Sequence, residues 1–119
     1  MNEIELRKRL KSFSLRVIRR YVSLPKNNAV AQILGTQCLR SATSVGANYA
    51  EATRSRSKAE FIAKTGDSLK EIAETEYWFE LLVESGIVPE KKMVELLDEA
   101  NQITAILTSS NKTAKTNDY

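Results

Sequence analysis

The 119-residue chain has no histidine, one cysteine, two prolines and four glycines. Each scarcity closes off some chemistry. Without histidine there can be no Glu-x-x-His motif of the di-iron bundles, no histidine zinc ligand and no Ser-His-Asp triad. The Arg-x4-His motif of helical RNases is excluded on the same ground. A single Cys38 cannot form an internal disulfide, and it falls on an apolar helical line, which reads as a buried structural thiol. Neither a Walker loop nor Gly-x-Gly-x-x-Gly occurs. No run of eighteen apolar residues is present, so no membrane span is expected. The opening Met1-Asn2-Glu3-Ile4-Glu5 lacks an apolar signal-peptide core, and a cytoplasmic location is the expectation. With so few breakers, a 42% hydrophobic fraction reads as one small helical domain.

What is there is charge, unevenly placed. Residues 1–58 hold twelve Lys and Arg against three Glu, a balance of +9, and residues 59–119 hold six against twelve acids, −6. Opposed basic and acidic surfaces follow.

The apolar spacing is helical throughout. Leu6, Leu10, Phe13, Val17 and Tyr21 define a first helix from about Glu3 to Tyr21, which also carries Arg7, Lys8, Arg9, Lys11, Arg16, Arg19 and Arg20. Leu24-Pro25 ends it. A second helix begins near Asn27 or Asn28 with Val30, Ile33 and Leu34, then carries two parallel lines. Cys38, Ala42, Val45, Tyr49 and Ala52 are mainly apolar; Gln37, Ser41, Ser44, Asn48 and Glu51 are all polar. Such a helix is wanted on two faces. Gly35 and Gly46, eleven residues apart, offer bare backbone to another helix on nearly one side. Ser57-Lys58-Ala59-Glu60 is a capping box opening a third helix. Its lines are Ile62, Thr65, Leu69, Ile72, Glu76, Phe79, Val83 and, beside it, Lys64, Ser68, Glu71, Thr75, Trp78, Leu82. Gly86 stops it and Pro89 opens a fourth helix, with Met93, Leu97, Ala100, Thr104 and Leu107 expected inward. The predicted fold is all-α, an antiparallel up-down-up-down four-helix bundle over residues 1–107. Residues 108–119, rich in Ser, Thr, Asn and Lys without apolar period, are expected to be a disordered tail.

Two clusters stand out. Glu51, Glu71 and Glu74 allow a carboxylate metal site or a hydrogen-bonded network with Arg40, Ser44 and Asn48 between helices two and three. The network is expected, because a buried charge must be paired, and no metal or other cofactor is assigned. Arg7, Lys8, Arg9 and Lys11 should share one pole of an up-down bundle with Arg54, Arg56 and Lys58. That pole suits phosphate contact without base readout. Tyr77 and Trp78, beside Leu81 and Leu82, read as core or interface packing rather than a base-stacking platform.

The segment Arg40-Ser41-Ala42-Thr43-Ser44-Val45-Gly46-Ala47-Asn48-Tyr49-Ala50-Glu51-Ala52 resembles a family of small bacterial four-helix bundles. Ser57-Lys58-Ala59-Glu60-Phe61-Ile62, Leu69-Lys70-Glu71 and Glu74-Thr75-Glu76-Tyr77-Trp78 carry the same resemblance. The family was first noticed as products of intervening sequences in 23S ribosomal RNA genes. It is similar to the accessory variability protein of diversity-generating retroelements, a basic pentameric barrel that binds nucleic acid and a reverse transcriptase. Ala52 replaces a glycine of some members, and Tyr77-Trp78 marks a branch distinct from the retroelement proteins, so the reverse-transcriptase role is not carried over. For most members no biochemical activity is established. The resemblance implies a homo-oligomer, a pentamer by number. The expected function is a non-enzymatic oligomer binding RNA or DNA backbone, with docking of an acidic protein partner as the alternative. No small-molecule substrate is expected.

Overall fold

Three polar side chains start three of the four helices. In the computed structural model, which describes residues 1–116, Asn2 accepts a hydrogen bond from the Glu5 amide, Asn28 from Ala31 and Ser57 from Glu60. Each bond satisfies an amide that the first helical turn leaves without a partner. The helices are α1 (Glu3–Val22), α2 (Ala29–Ala52), α3 (Lys58–Glu84) and α4 (Glu90–Thr116). The capping box of α3 is displaced by one residue, since Glu60 Oε2 accepts from the Arg56 amide at 3.3 Å. Gly86, at φ 81°, takes the left-handed turn that ends α3. Its amide donates to Val83 O and that of Val88 to Leu82 O, which occupies carbonyls the helix leaves open.

Cross-helix pairs set the directions. Arg9 meets Glu99 while Arg20 meets Lys92, so α1 and α4 run oppositely. Thr75 meets Ser41, Ser68 meets Val45 and Lys64 meets Glu51, which orders α2 against α3 in the same way. Thr104 with Glu76 and Asn111 with Ile62 do so for α3 and α4. The result is an up-down-up-down bundle with extents of 53 × 21 × 20 Å.

Leu6, Leu10, Phe13 and Val17 of α1 enter one core with Cys38, Ala42, Val45 and Tyr49 of α2. Phe13 reaches Phe79 edge-on, with ring centroids 6.2 Å apart. Gly35 and Gly46 both face α1. A Cβ at Gly35 would sit 2.5 Å from Leu24 Cδ1, and one at Gly46 3.4 Å from Leu10 Cβ. On α3 the buried row is Thr65, Ser68, Ile72, Thr75, Phe79 and Leu82, which runs between the two expected lines and takes members of both. On α4, Leu96 and Ile103 are buried while Leu97 and Thr104 are half-buried, a small rotation from the expected face.

The expected tail is corrected over 108–116. The helix α4 continues through Thr116 because Asn111 extends its buried row one step past Leu107. Its Nδ2 donates to Ile62 O at 3.0 Å and to Thr65 Oγ1 at 2.7 Å. A satisfied amide thus packs where an apolar side chain was sought. Residues 117–119, the rest of that expected tail, lie outside the described residues.

Candidate nucleic-acid interface

The start of α1 lies against the α2–α3 turn: Met1, Glu3 and Leu6 share a groove with Ser57, Lys58 and Phe61. Arg7, Lys8, Lys11, Arg54, Arg56 and Lys58 are all exposed in this half of the molecule. Among the described residues, no carboxylate lies within 4.0 Å of the charged group of Arg7, Lys8, Lys11, Arg54 or Arg56. The local field is felt by Tyr49. Burial pushes its hydroxyl pKa up, Glu3 adds to that rise, and Arg7 opposes it.

Arg9 leaves this set. Its Nε donates to Glu99 Oε2 at 2.8 Å, and Nη2 donates to Glu99 Oε1 and Gln102 Oε1, each at 2.7 Å. The hydrogen bond to Glu99 raises the pKa of Arg9, and the same bond holds Glu99 below the ordinary carboxylate range. Arg9 is a clasp between α1 and α4 rather than an open cation. Its neighbours in sequence fall on other sides of the helix, a rotation that composition alone does not reveal.

The expected polar network also needs correction. Arg40 pairs with Glu71 at 3.4 Å and with Glu74, and Lys64 pairs with Glu51 at 2.7 Å. These charges sit at the edge of the α2–α3 seam: the side chains of Arg40 and Glu51 are 51% and 58% exposed. Ser44 Oγ donates within its own helix to Arg40 O, and no hydrogen bond joins Asn48 to Glu71. The buried polar layer is neutral instead. The Thr75 hydroxyl lies 2.8 Å from Ser41 Oγ, and Ser68 Oγ donates to Val45 O at 2.9 Å. Where α2 and α3 meet most extensively, short hydroxyls fit and are satisfied, while long charged chains reach water at the rim. Arg40 occupies Glu71 and Glu74, and Glu74 also accepts from Trp78 Nε1 at 3.1 Å. Among the described residues no three metal-ligating side chains converge.

A second apolar face escaped the sequence reading. Ile4, Leu15, Ile18 and Val22 of α1 and Val30 and Ile33 of α2 are exposed, from 37% at Ile18 to 65% at Ile4 and Val22. Between α1 and α2, Ile4, Leu15 and Ile18 flank a groove of about 710 Å³ floored by Gly46, Ala47 and Ala50 and bordered by Arg7, Lys8 and Lys11. The signal was the spacing 4, 15, 18, 22, a helical line obscured by the arginines and lysines around it. It places unpaired apolar surface directly beside the basic residues.

The profile described as 23S rRNA-intervening sequence protein matches residues 2–109. The chain belongs to that family. The match spans α1, α2, α3 and most of α4, so the family covers the bundle and not a fragment of it. A solved structure, a protein of unknown function from the S23 ribosomal protein family of Bacteroides thetaiotaomicron VPI-5482, is 34% identical. It superposes with a TM-score of 0.88, covering 95% of this chain and 100% of that one. No curated protein matches the chain. Within the intervening-sequence family, then, the bundle is shared, and the exposed basic and apolar faces are what remain to be given a role. No helix among the described residues is long and apolar enough to cross a membrane.

Proposed function

We propose that this protein is a non-enzymatic homo-oligomer that binds the backbone of RNA or DNA through its basic pole. One observation carries the reading: Arg7, Lys8, Lys11, Arg54 and Arg56 are exposed in one half of the molecule, and no carboxylate pairs with their charged groups among the described residues. Five unneutralised cations in one region attract a polyanion, and nothing beside them reads base edges. The matched family's name concerns a ribosomal RNA gene and supports the class of partner without naming a ligand.

Self-association is supported by the apolar face of α1 and α2. Its six exposed aliphatic side chains are next to cations, whereas Glu80, Glu84, Glu90, Glu95 and Asp98 are exposed on α3 and α4. A copy that lays another of its faces over Ile18, Val22, Val30 and Ile33 of the next, clear of Arg7, Lys8 and Lys11, makes a head-to-tail contact, and such contacts close into a ring when the rotation between copies closes. The count of five comes from the family resemblance alone.

Fluorescence anisotropy of labelled single strands and duplex across a salt series tests the nucleic-acid reading. Log affinity should fall with log salt by about 0.9 per phosphate neutralised on duplex DNA. Arg54→Glu with Arg56→Glu should weaken binding equally for unrelated sequences and flatten the slope. Absence of binding at low salt defeats the reading and turns attention to an acidic protein, for which the groove mixing Ile4, Leu15 and Ile18 with Arg7, Lys8 and Lys11 is the favouring observation. Light scattering tests the assembly: Ile18→Glu with Ile33→Glu should dissociate it, and a parent protein that runs as a monomer at micromolar concentration refutes it.

A further inference from the structure

At the far end of α1, a separate concavity of about 340 Å³ opens between the last turns of α1 and the first turns of α4. Its lining includes Arg16, Arg19, Arg20, Ser23, Lys92 and Glu95. Four cations therefore face one carboxylate. Among the described residues, none of the four has a carboxylate within 4.0 Å. Glu99, whose pKa Arg16 helps to lower, is already held by the two-pronged contact with Arg9.

Arg20 is the most telling member. Its Nη2 donates to Lys92 O at 3.0 Å, which draws the guanidinium across the gap to α4. Its Nε is buried and has no hydrogen-bond partner. A buried N–H on a permanently charged group is costly to leave unmade, and a slight turn of the side chain toward an oxyanion in the pocket satisfies charge and donor together.

We propose that Arg16, Arg19, Arg20 and Lys92 form a pocket for a phosphate monoester. The monoester is favoured over a backbone diester on two grounds. It carries nearly two negative charges at neutral pH, which suits four cations offset by one acid. A concave site also admits a terminal group, whereas an internal diester needs an open track for the nucleotides on both sides. The pocket stands about 14 Å along α1 from Arg7, Lys8 and Lys11, taking 1.5 Å per residue, and it does not depend on the nucleic-acid reading of that other pole.

Titration of the intact protein with inorganic phosphate, followed by calorimetry and by the amide and arginine side-chain resonances, tests the proposal. Saturable binding that shifts Arg20 is expected. Arg20→Lys keeps the charge and loses the planar fork, and should weaken phosphate binding about tenfold. Glu95→Gln should strengthen it, and Lys70→Met, at an exposed lysine of α3 outside both basic regions, should leave it unchanged. Lys92 is exposed, so Lys92→Met provides a loss variant whose folding is not at stake. A short oligonucleotide with and without a 5′-phosphate separates the two sources of the ligand. A gain from the 5′-phosphate assigns the pocket to a strand end; equal weak binding of both alongside saturable inorganic phosphate assigns it to a small phosphate ester. No phosphate binding, or binding indifferent to both Arg20→Lys and Lys92→Met, overturns the proposal.

Discussion

Replacing Glu99 with glutamine should loosen the α1–α4 seam, which a charged clasp holds. The parent contact has three strong hydrogen bonds, at 2.7 to 2.8 Å, from Arg9 to Glu99 and Gln102. Hydrogen bonds to charged groups contribute about 1.5–3 kcal/mol, more than neutral ones. The Arg9 and Glu99 side chains retain 26% and 15% exposure, so solvent screens part of this. A loss of about 1–2 kcal/mol is expected at pH 7. For a chain of this length that lowers the melting temperature by about 4–8 °C. The pH dependence identifies the cause. Glu99 has its folded pKa depressed, so its contribution is present above the ordinary carboxylate value of 4.5 and is lost as pH falls through the lower folded value. Melting followed by circular dichroism should therefore show the parent and Glu99→Gln separated at neutral pH and converging in acid. A gap that persists undiminished at pH 2, or no gap at pH 7, would refute the assignment of that stability to the Arg9–Glu99 charge.

Three further outcomes follow from the same geometry. Glu71→Ala should cost only about 0–1 kcal/mol in urea denaturation, because its partner Arg40 is half exposed; a loss above about 3 kcal/mol would mean the pair is buried after all. Asn111→Ala should cost about 1–3 kcal/mol, since it removes two buried donors and leaves Ile62 O without that bond; an unchanged denaturation midpoint would show that the end of α4 does not dock. The Cys38 thiol, pushed up to about 12 by burial, should resist alkylation at pH 8 until the protein is unfolded. Because its folded pKa lies above the unfolded one, stability should decline as pH rises beyond about 9, the ordinary value for the thiol. Rapid labelling of native Cys38 would contradict the packing of α2.

The helix starts were legible because capping is local chemistry: Asn28 and Ser57 sit at the positions their side chains imply, and Gly86 turns where only glycine is comfortable. The two glycines of α2 also announced their purpose, with α1 lying over both. What stayed hidden depended on rotation about helix axes. Arg7, Lys8, Arg9 and Lys11 look alike in a row, yet only Arg9 turns toward Glu99. Glu71 shares a line with Thr75, yet the short side chain is the buried one and the long one reaches the edge. Asn111 defeated the reading for a different reason. Its inward role rests on a carbonyl 49 residues away, which no local pattern encodes.

The sequence of seams has a kinetic consequence. Three of the four helix pairs that touch, α1–α2, α2–α3 and α3–α4, join consecutive helices through short turns. Such hairpins close small loops and assemble from contacts near in sequence, the arrangement associated with rapid folding. The thin α1–α4 seam is the exception, and its clasp joins residues 90 apart. By then most of the intervening chain is already ordered in hairpins, so the remaining entropy of that long loop has been lost beforehand. The topology thus predicts local folding finished by one distant closure, with the α1–α4 edge the first to open.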